Sequence, residues 1–188
     1  MYPIHERLQT LRRPKVDPEA RRVLIAYSFP DDVWGPLVES FRTRLRHHGI
    51  DARVPPTKSG HVSVGLLVDP SDQEVVRAVQ IEIPRFRVLG VDLLVGREFG
   101  FVSIELDLPD QMSRSFQHLR RLVGPGRIGD FRTWRRNIRP HVSVVTVPLD
   151  QVEATRQLLG LLKVGIDQYR PQYIEIMEDY EVKDWIAA

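Results

Sequence analysis

The chain has 188 residues, 42% hydrophobic and 28% charged, with 27 basic and 25 acidic side chains for a formal net charge of +2. That composition belongs to a folded globular chain and excludes a disordered or membrane-spanning one. Cysteine is absent, which excludes disulfides, thiolate nucleophiles and Cys-ligated zinc, and agrees with a reducing, cytoplasmic setting.

Residues 1–20 mix Pro3, Pro14 and Pro18 with charged side chains and show no sustained hydrophobic period. They read as an N-terminal extension, with one two-lobed domain expected over 21–188. The stretch has no apolar segment of the signal-peptide kind. No apolar run in the chain approaches the roughly 20 residues that a membrane span needs.

Val23 to Phe29 is a short apolar run of strand length, stopped by Pro30 and followed by Asp31 and Asp32 as helix-start signals. The helix that follows is expected to reach about His48, with Val33, Leu37, Phe41 and Leu45 on one face and Gly49 as its stop. Pro55, Pro56 and Gly60 then mark a loop that delivers His61.

The later chain repeats this order. Val102 to Leu108 reads as a strand ended by Pro109 and Asp110; a helix through Phe116, Leu119 and Leu122 stops at Gly124; and an arginine-rich loop ending in Pro140 delivers His141. Ile25 to Ile104 and Pro30 to Pro109 are each 79 residues apart, and His61 to His141 is 80. Helices are expected again from Asp72-Gln73 and from Asp150-Gln151, and each half closes with strand-like runs, Phe86 to Val95 and Tyr173 to Val182. Self-similarity at a fixed offset over several elements signals an internal duplication. The expected architecture is α+β, with two β-α-β-α-β-β-like lobes related by an approximate two-fold axis. Antiparallel sheets would face a central cleft, with helices outside.

Within the repeat, His61-Val62-Ser63-Val64 and His141-Val142-Ser143-Val144 occupy the same place. Strand side chains alternate between faces, so the valines share one face while histidine and serine share the other. Taken singly, a His-x-Ser strand is most simply a structural histidine satisfied at a sheet edge. Paired placement favours a site, because histidine exchanges protons near neutral pH. A zinc site lacks its third and fourth ligands and there is no His-Glu-x-x-His; a serine-hydrolase Gly-x-Ser-x-Gly is also missing. His5, His47, His48 and His118 read as solvent-facing. Between Arg120 and Arg139, seven arginines face a single acid, Asp130. This stretch is either anion-attracting or an ordinary solvated face.

On these two motifs, and from Arg22 to about Trp185, the sequence resembles the 2H phosphoesterase superfamily, which includes 2′-5′ RNA ligase-like and cyclic phosphodiesterase proteins. The resemblance implies a metal-independent, cofactor-free phosphodiesterase acting on 2′,3′-cyclic phosphates or 2′-5′ linked RNA ends and nucleotides, able in reverse to ligate RNA. His61 and His141 would be the catalytic pair. Ser63 and Ser143, with Arg139 or Lys58, would hold the phosphate, and Trp134 and Phe131 would stack on substrate bases. A monomer binding an RNA end or nucleotide, without membrane association, is expected. Two alternatives use the same cleft: a non-catalytic RNA-end binding module relying on the 120–139 arginines, and a phosphodiesterase of a cyclic oligonucleotide signal.

Overall fold

A computed structural model describes residues 19–55, 60–96, 98–128, 140–165 and 167–178. The first half runs β1 (Arg22–Ser28), α1 (Asp31–His47), β2 (His61–Val68), α2 (Asp72–Ala78) and β3 (Phe86–Val95). The second runs β4 (Phe99–Leu106), α3 (Asp110–Val123), β5 (His141–Pro148), α4 (Val152–Leu158), β6 (Gln168–Tyr169) and β7 (Tyr173–Glu178). Among the described residues no helix is long and apolar enough to cross a membrane.

Two sheets form, one ordered β2-β1-β7 and the other β5-β4-β3-β6, with antiparallel neighbours throughout. The halves of the sequence are therefore not the lobes of the structure. β3, from the first half, pairs with β4, and β7, from the second half, pairs with β1. Each half completes the other's sheet.

Beneath this exchange the duplication survives at the level of register. Ser28, Tyr27 and Ala26 pair with His61, Val62 and Ser63, after which the register shifts and Ile25 pairs with Gly65. Glu105, Ile104 and Ser103 pair with His141, Val142 and Ser143, after which Val102 pairs with Val145. One residue is skipped at the matching place in each motif strand, Val64 and Val144, so both strands carry the same bulge. This register makes Tyr27, not Ile25, the counterpart of Ile104. The second half has two more residues between strand and proline than the first, so the 79-residue spacing matches the prolines but not the strands. Pro30 and Pro109 themselves correspond, with φ, ψ of −68°, 151° and −70°, 151° at the two helix starts.

Gly49, at φ 79°, follows α1, and Gly124, at φ 85°, ends α3; both adopt the left-handed half of the map that glycine tolerates. The buried face of α1 is Trp34, Val38, Phe41 and Leu45, whereas Val33 is 47% exposed. Strict four-residue steps overshoot a 3.6-residue turn, so Val33 lies roughly 120° around the helix from Leu45 while Trp34 lies roughly 20° from it. In α3 the buried stripe is Met112, Ser115, Leu119 and Val123, with Phe116 and Leu122 half-buried. Past β5 the chain enters α4 through a 3₁₀ turn at Leu149–Gln151, so the expected start at Asp150-Gln151 lies in that turn.

One continuous apolar cluster takes residues from both sheets, including Val62, Val64, Val142 and Val144. The helices cross as the end strands do, since α1 packs on β5 and α3 on β2. At the second of these contacts a Cβ on Gly65 would lie 2.7 Å from Leu119 Cδ1, so helix and strand approach as closely as a missing side chain permits. Tyr27 closes the same region. Its buried hydroxyl donates toward Glu82 O at 3.0 Å and lies 2.9 Å from Ser115 Oγ, and burial pushes its pKa up to about 12.

Because the core is shared, Leu119→Ala should weaken the whole molecule. The expected cost is about 2–5 kcal/mol, read as a shifted urea midpoint. Far-UV dichroism and tryptophan emission should move together in one transition, and separate transitions for the two sheets would contradict a common core.

Candidate active site

The two histidines are held by matching devices. Phe29 N–H donates to Gly60 O at 3.0 Å, and Leu106 N–H donates to Pro140 O at 2.8 Å, so the residue before each histidine is tied to the end of the adjacent strand. At Gly60 the backbone is at φ 85°, and a Cβ would stand 2.9 Å from the Trp34 ring. Both the turn and the close approach require glycine there. Trp34 in turn stacks on Phe29 at 6.3 Å between ring centroids and meets Tyr169 edge-on at 5.8 Å.

β2 and β5 have the same burial sequence, residue for residue. His61, Ser63, His141 and Ser143 are half-buried, while Val62, Val64, Val142 and Val144 are at most 1% exposed. β2 and β5 are the edge strands of their respective sheets, and they approach each other with Cα atoms within 8 Å. All four valines enter the same core, so the His-Ser face of each strand is turned away from it.

The far parts of these edges are covered by loops that also cross. Arg53, from the α1–β2 connection, exchanges backbone hydrogen bonds with Thr146 of β5 at 2.9 and 2.8 Å. Ile128, beyond α3, bridges Leu67 of β2, and Val68 N–H donates to Arg127 O at 2.7 Å. Each half therefore blunts the open edge of the other half's motif strand. Arg127 fixes its loop further through a two-pronged pair with Glu74, at 3.1 and 2.9 Å, and through bonds to the carbonyls of Val68 and Asp69. This arginine of the 120–139 stretch is committed to a structural ion pair, while Arg120 and Arg121 are exposed on α3.

Across the strands, the His-Ser face is organised in rows. His61 lies opposite Ser28, which lies opposite Tyr173; Ser63 lies opposite Ala26, which lies opposite Glu175. In the second sheet the matching rows are His141, Glu105, Gly90 and Ser143, Ser103, Asp92. Ser28 is buried and its hydroxyl donates to Glu175 Oε2 at 2.6 Å, a short charge-assisted bond. Ser143 Oγ is 3.4 Å from the buried Ser103 Oγ, a longer and weaker contact.

Of the residues singled out in the sequence, His61, Ser63, His141 and Ser143 thus sit at matching positions on the two edge strands. Lys58, Phe131, Trp134 and Arg139 lie outside the described residues. His118 is not solvent-facing as expected: it is half-buried, with Nε2 3.2 Å from Arg77 O, linking α3 to α2. Ser28, Glu105, Tyr173 and Glu175 are not among the site residues expected from the sequence. Alternation along 173–178 marks which of its residues share a face, but only the strand exchange places that face beside His61.

No protein-family model and no curated protein matches the sequence. Solved structures do. E. coli LigT complexed with 3′-AMP superposes with a TM-score of 0.50 and 14% identity, over 87% of this chain and 90% of that one. E. coli LigT complexed with NADP+ gives 0.50 and 15%, over 88% and 91%. Kluyveromyces marxianus Usb1 with uridine monophosphate gives 0.50 and 11%, over 84% and 94%. The chain has the fold of the 2H phosphoesterases. The α+β two-lobed arrangement expected from the paired motifs is the one present, with strand exchange between the halves as its added feature.

The Arg127–Glu74 pair that anchors the crossing loop has a pH signature. The guanidinium, with help from Ser71, holds the Glu74 carboxyl at about 2 against an ordinary 4.5. A carboxyl lowered on folding stabilises the fold fully above its unfolded value and loses that contribution as pH falls toward the folded one. Thermal unfolding of wild type and Glu74→Gln should therefore differ most at neutral pH and converge as the pH falls from about 4.5 to about 2. A constant gap across that window would rule out a role for this pair.

Proposed function

We propose that the chain is a metal-independent phosphodiesterase that opens 2′,3′-cyclic phosphates or 2′-5′ linkages at RNA ends or in nucleotides. One observation carries the reading: two His-Val-Ser-Val strands, with the same bulge, burial and tether, lie as neighbouring edges and each turns its His-Ser face away from a shared core. A phosphate bound over that seam would have an imidazole and a hydroxyl from each sheet.

The chemistry suits those groups. As water attacks phosphorus, one imidazole takes its proton; the phosphorus–oxygen bond to the 2′ or 3′ oxygen breaks, and the other imidazole, protonated beforehand, supplies the proton that leaving oxygen needs. The Ser63 and Ser143 hydroxyls would donate to the non-bridging oxygens as charge builds there. Arg139 and Lys58, each close in sequence to a motif histidine, are the proposed cationic partners, and Trp134 and Phe131 proposed contacts to bases. The fold shared with proteins solved with 3′-AMP and uridine monophosphate supports a nucleotide-sized substrate.

A product screen with 2′,3′-cyclic nucleotides, 2′-5′ and 3′-5′ dinucleotides and cyclic dinucleotides tests the reading. Turnover of a 2′,3′-cyclic or 2′-5′ substrate is expected, unchanged by EDTA. It should fall by about 100-fold or more in His61→Ala and again in His141→Ala. Near-normal rates in both variants would overturn the assignment. Salt-sensitive RNA binding without any product would favour the non-catalytic binding module instead.

A further inference from the structure

The two long helices run the same way. α1 begins beside His61, where Phe29 N–H meets Gly60 O, and the loop after its far end joins the last part of β5 through the Arg53–Thr146 bonds. α3 begins beside His141, where Leu106 N–H meets Pro140 O, and the loop after it receives Val68 N–H, at the close of β2, on Arg127 O. Each helix therefore leads from the histidine end of the molecule to the opposite end, which for the 17 residues of α1 is about 25 Å away.

Charge is sorted along that axis. The first turns carry Asp31, Asp32 and Asp110, and the last turns carry Arg44 and Arg46 on α1 and Arg120 and Arg121 on α3. Arg77, in the last turn of α2, lies beside α3, since its carbonyl is 3.2 Å from His118 Nε2. Lys163 lies beside the end of α1, where Arg44 Nη1 donates to Leu161 O at 3.3 Å. A helix C-terminus favours cations, so each arginine has a local reason to be there; Lys163, in no helix, has none. All six are exposed and enter no ion pair among the described residues, unlike Arg21, Arg53 and Arg127 nearby. Those three hold the neighbouring acids Asp72, Glu178, Asp51 and Glu74, while Asp69 and Asp150 are exposed acids without such a partner. Parallel helices thus gather local preferences into one cationic end.

We propose that this end is a second binding surface, away from the histidines, that holds the phosphate backbone of an RNA strand. The choice of RNA rests on the phosphodiesterase reading above; the surface extends that reading to strands longer than the reacting nucleotide. Phosphates spaced along a strand match cations spread over two helix ends, and arginine, five of the six, meets phosphate oxygens with two parallel N–H donors. Such contacts hold a strand without reading its sequence. A lipid surface also presents phosphates, but anchoring in one draws on exposed rings. The exposed apolar side chains near this end, Val54, Leu149 and Leu161, are aliphatic, and the exposed aromatic among the described residues, Tyr173, stands in the row of His61. A strand rising about 3.4 Å per nucleotide needs about eight nucleotides or more to cover the length of α1. Short substrates therefore reach the histidines without touching the surface.

Fluorescence anisotropy of a labelled single-stranded RNA of about 20 nucleotides, titrated at several salt concentrations, reads the surface directly. The double variants Arg44→Gln/Arg46→Gln and Arg77→Gln/Arg121→Gln should each weaken binding several-fold at low salt. Each should also flatten the slope of log affinity against log salt by about 1.4, from two lost contacts of roughly 0.7 each. Arg114→Gln, which removes a cation paired with Glu82 near the start of α3, should bind as wild type. Turnover of uridine 2′,3′-cyclic phosphate should be the same in all of these chains, whereas the same RNA ending in a 2′,3′-cyclic phosphate should show a raised KM in the double variants. Unchanged RNA affinity and slope in both double variants would overturn the surface, as would an equal loss in Arg114→Gln. So would binding to phosphatidylserine-rich vesicles, lost in the double variants, without binding to RNA. Turnover of the cyclic nucleotide with RNA affinity unmoved would remove the surface and leave the phosphodiesterase reading standing. RNA affinity lost in the double variants of a chain that hydrolyses no phosphodiester would do the reverse.

Discussion

Side chains of an extended strand alternate, so a residue driven inward obliges its neighbour outward. In β2 and β5 that rule operates twice over one body of apolar side chains. Val62, Val64, Val142 and Val144 are all withdrawn into the same core, and His61, Ser63, His141 and Ser143 are turned away from it as a consequence. Burying a valine side chain contributes on the order of 1.5 kcal/mol or more, and a one-residue slip of either strand would bring the polar residues in and the valines out. Hydrophobic burial in the core thus fixes the orientation of groups that never touch it. The bulge after each serine adds a local constraint, because it ends strict alternation just where both faces of the strand become buried.

The exchange of end strands ties the two sides of that seam together. β3 and β7 complete sheets begun by the opposite half, α1 and α3 pack on the opposite motif strand, and the loops at Arg53 and Ile128 close the opposite edge. Neither half owns a finished sheet or a finished core. Separating the two motif strands would then require breaking backbone pairs, helix packing and loop bridges together, which is the condition for two-state behaviour in a chain of this size. A site built from side chains far apart in sequence gains most from such coupling, since small misplacement of an acid–base pair is costly to catalysis.

Much of this was legible before any coordinates. The alternation in His-Val-Ser-Val, the prolines that open α1 and α3, and the glycines that close them are local signals, and each acts where it stands. What escaped the sequence was non-local. Nothing in Tyr173 to Glu178 states that this strand pairs with β1, ten helices and strands earlier in the chain, so Tyr173 and Glu175 could not be placed in the sheet of His61. The arginine excess between 120 and 139 was misleading at Arg127 for the same reason: its partner, Glu74, is 53 residues away. The stripe on α1 failed on a finer point, since apolar residues every four positions drift around a helix of 3.6 residues per turn and Trp34 was the better inward choice.

Duplication also separates what a symmetric site needs from what it does not. An acid–base pair facing one phosphate asks the same of both halves, and both supply the same tether, histidine, serine and bulge. A substrate that is itself unsymmetrical, with a base on one side of the phosphorus and water or a leaving group on the other, asks for different surroundings. The differences appear one and two strands away from the histidines, where Ser28 in one sheet corresponds to Glu105 in the other, Tyr173 to Gly90 and Ala26 to Ser103. Under the proposed reading, direction would have to come from the flanking strands, because two identical motifs by themselves define no preferred end of the substrate.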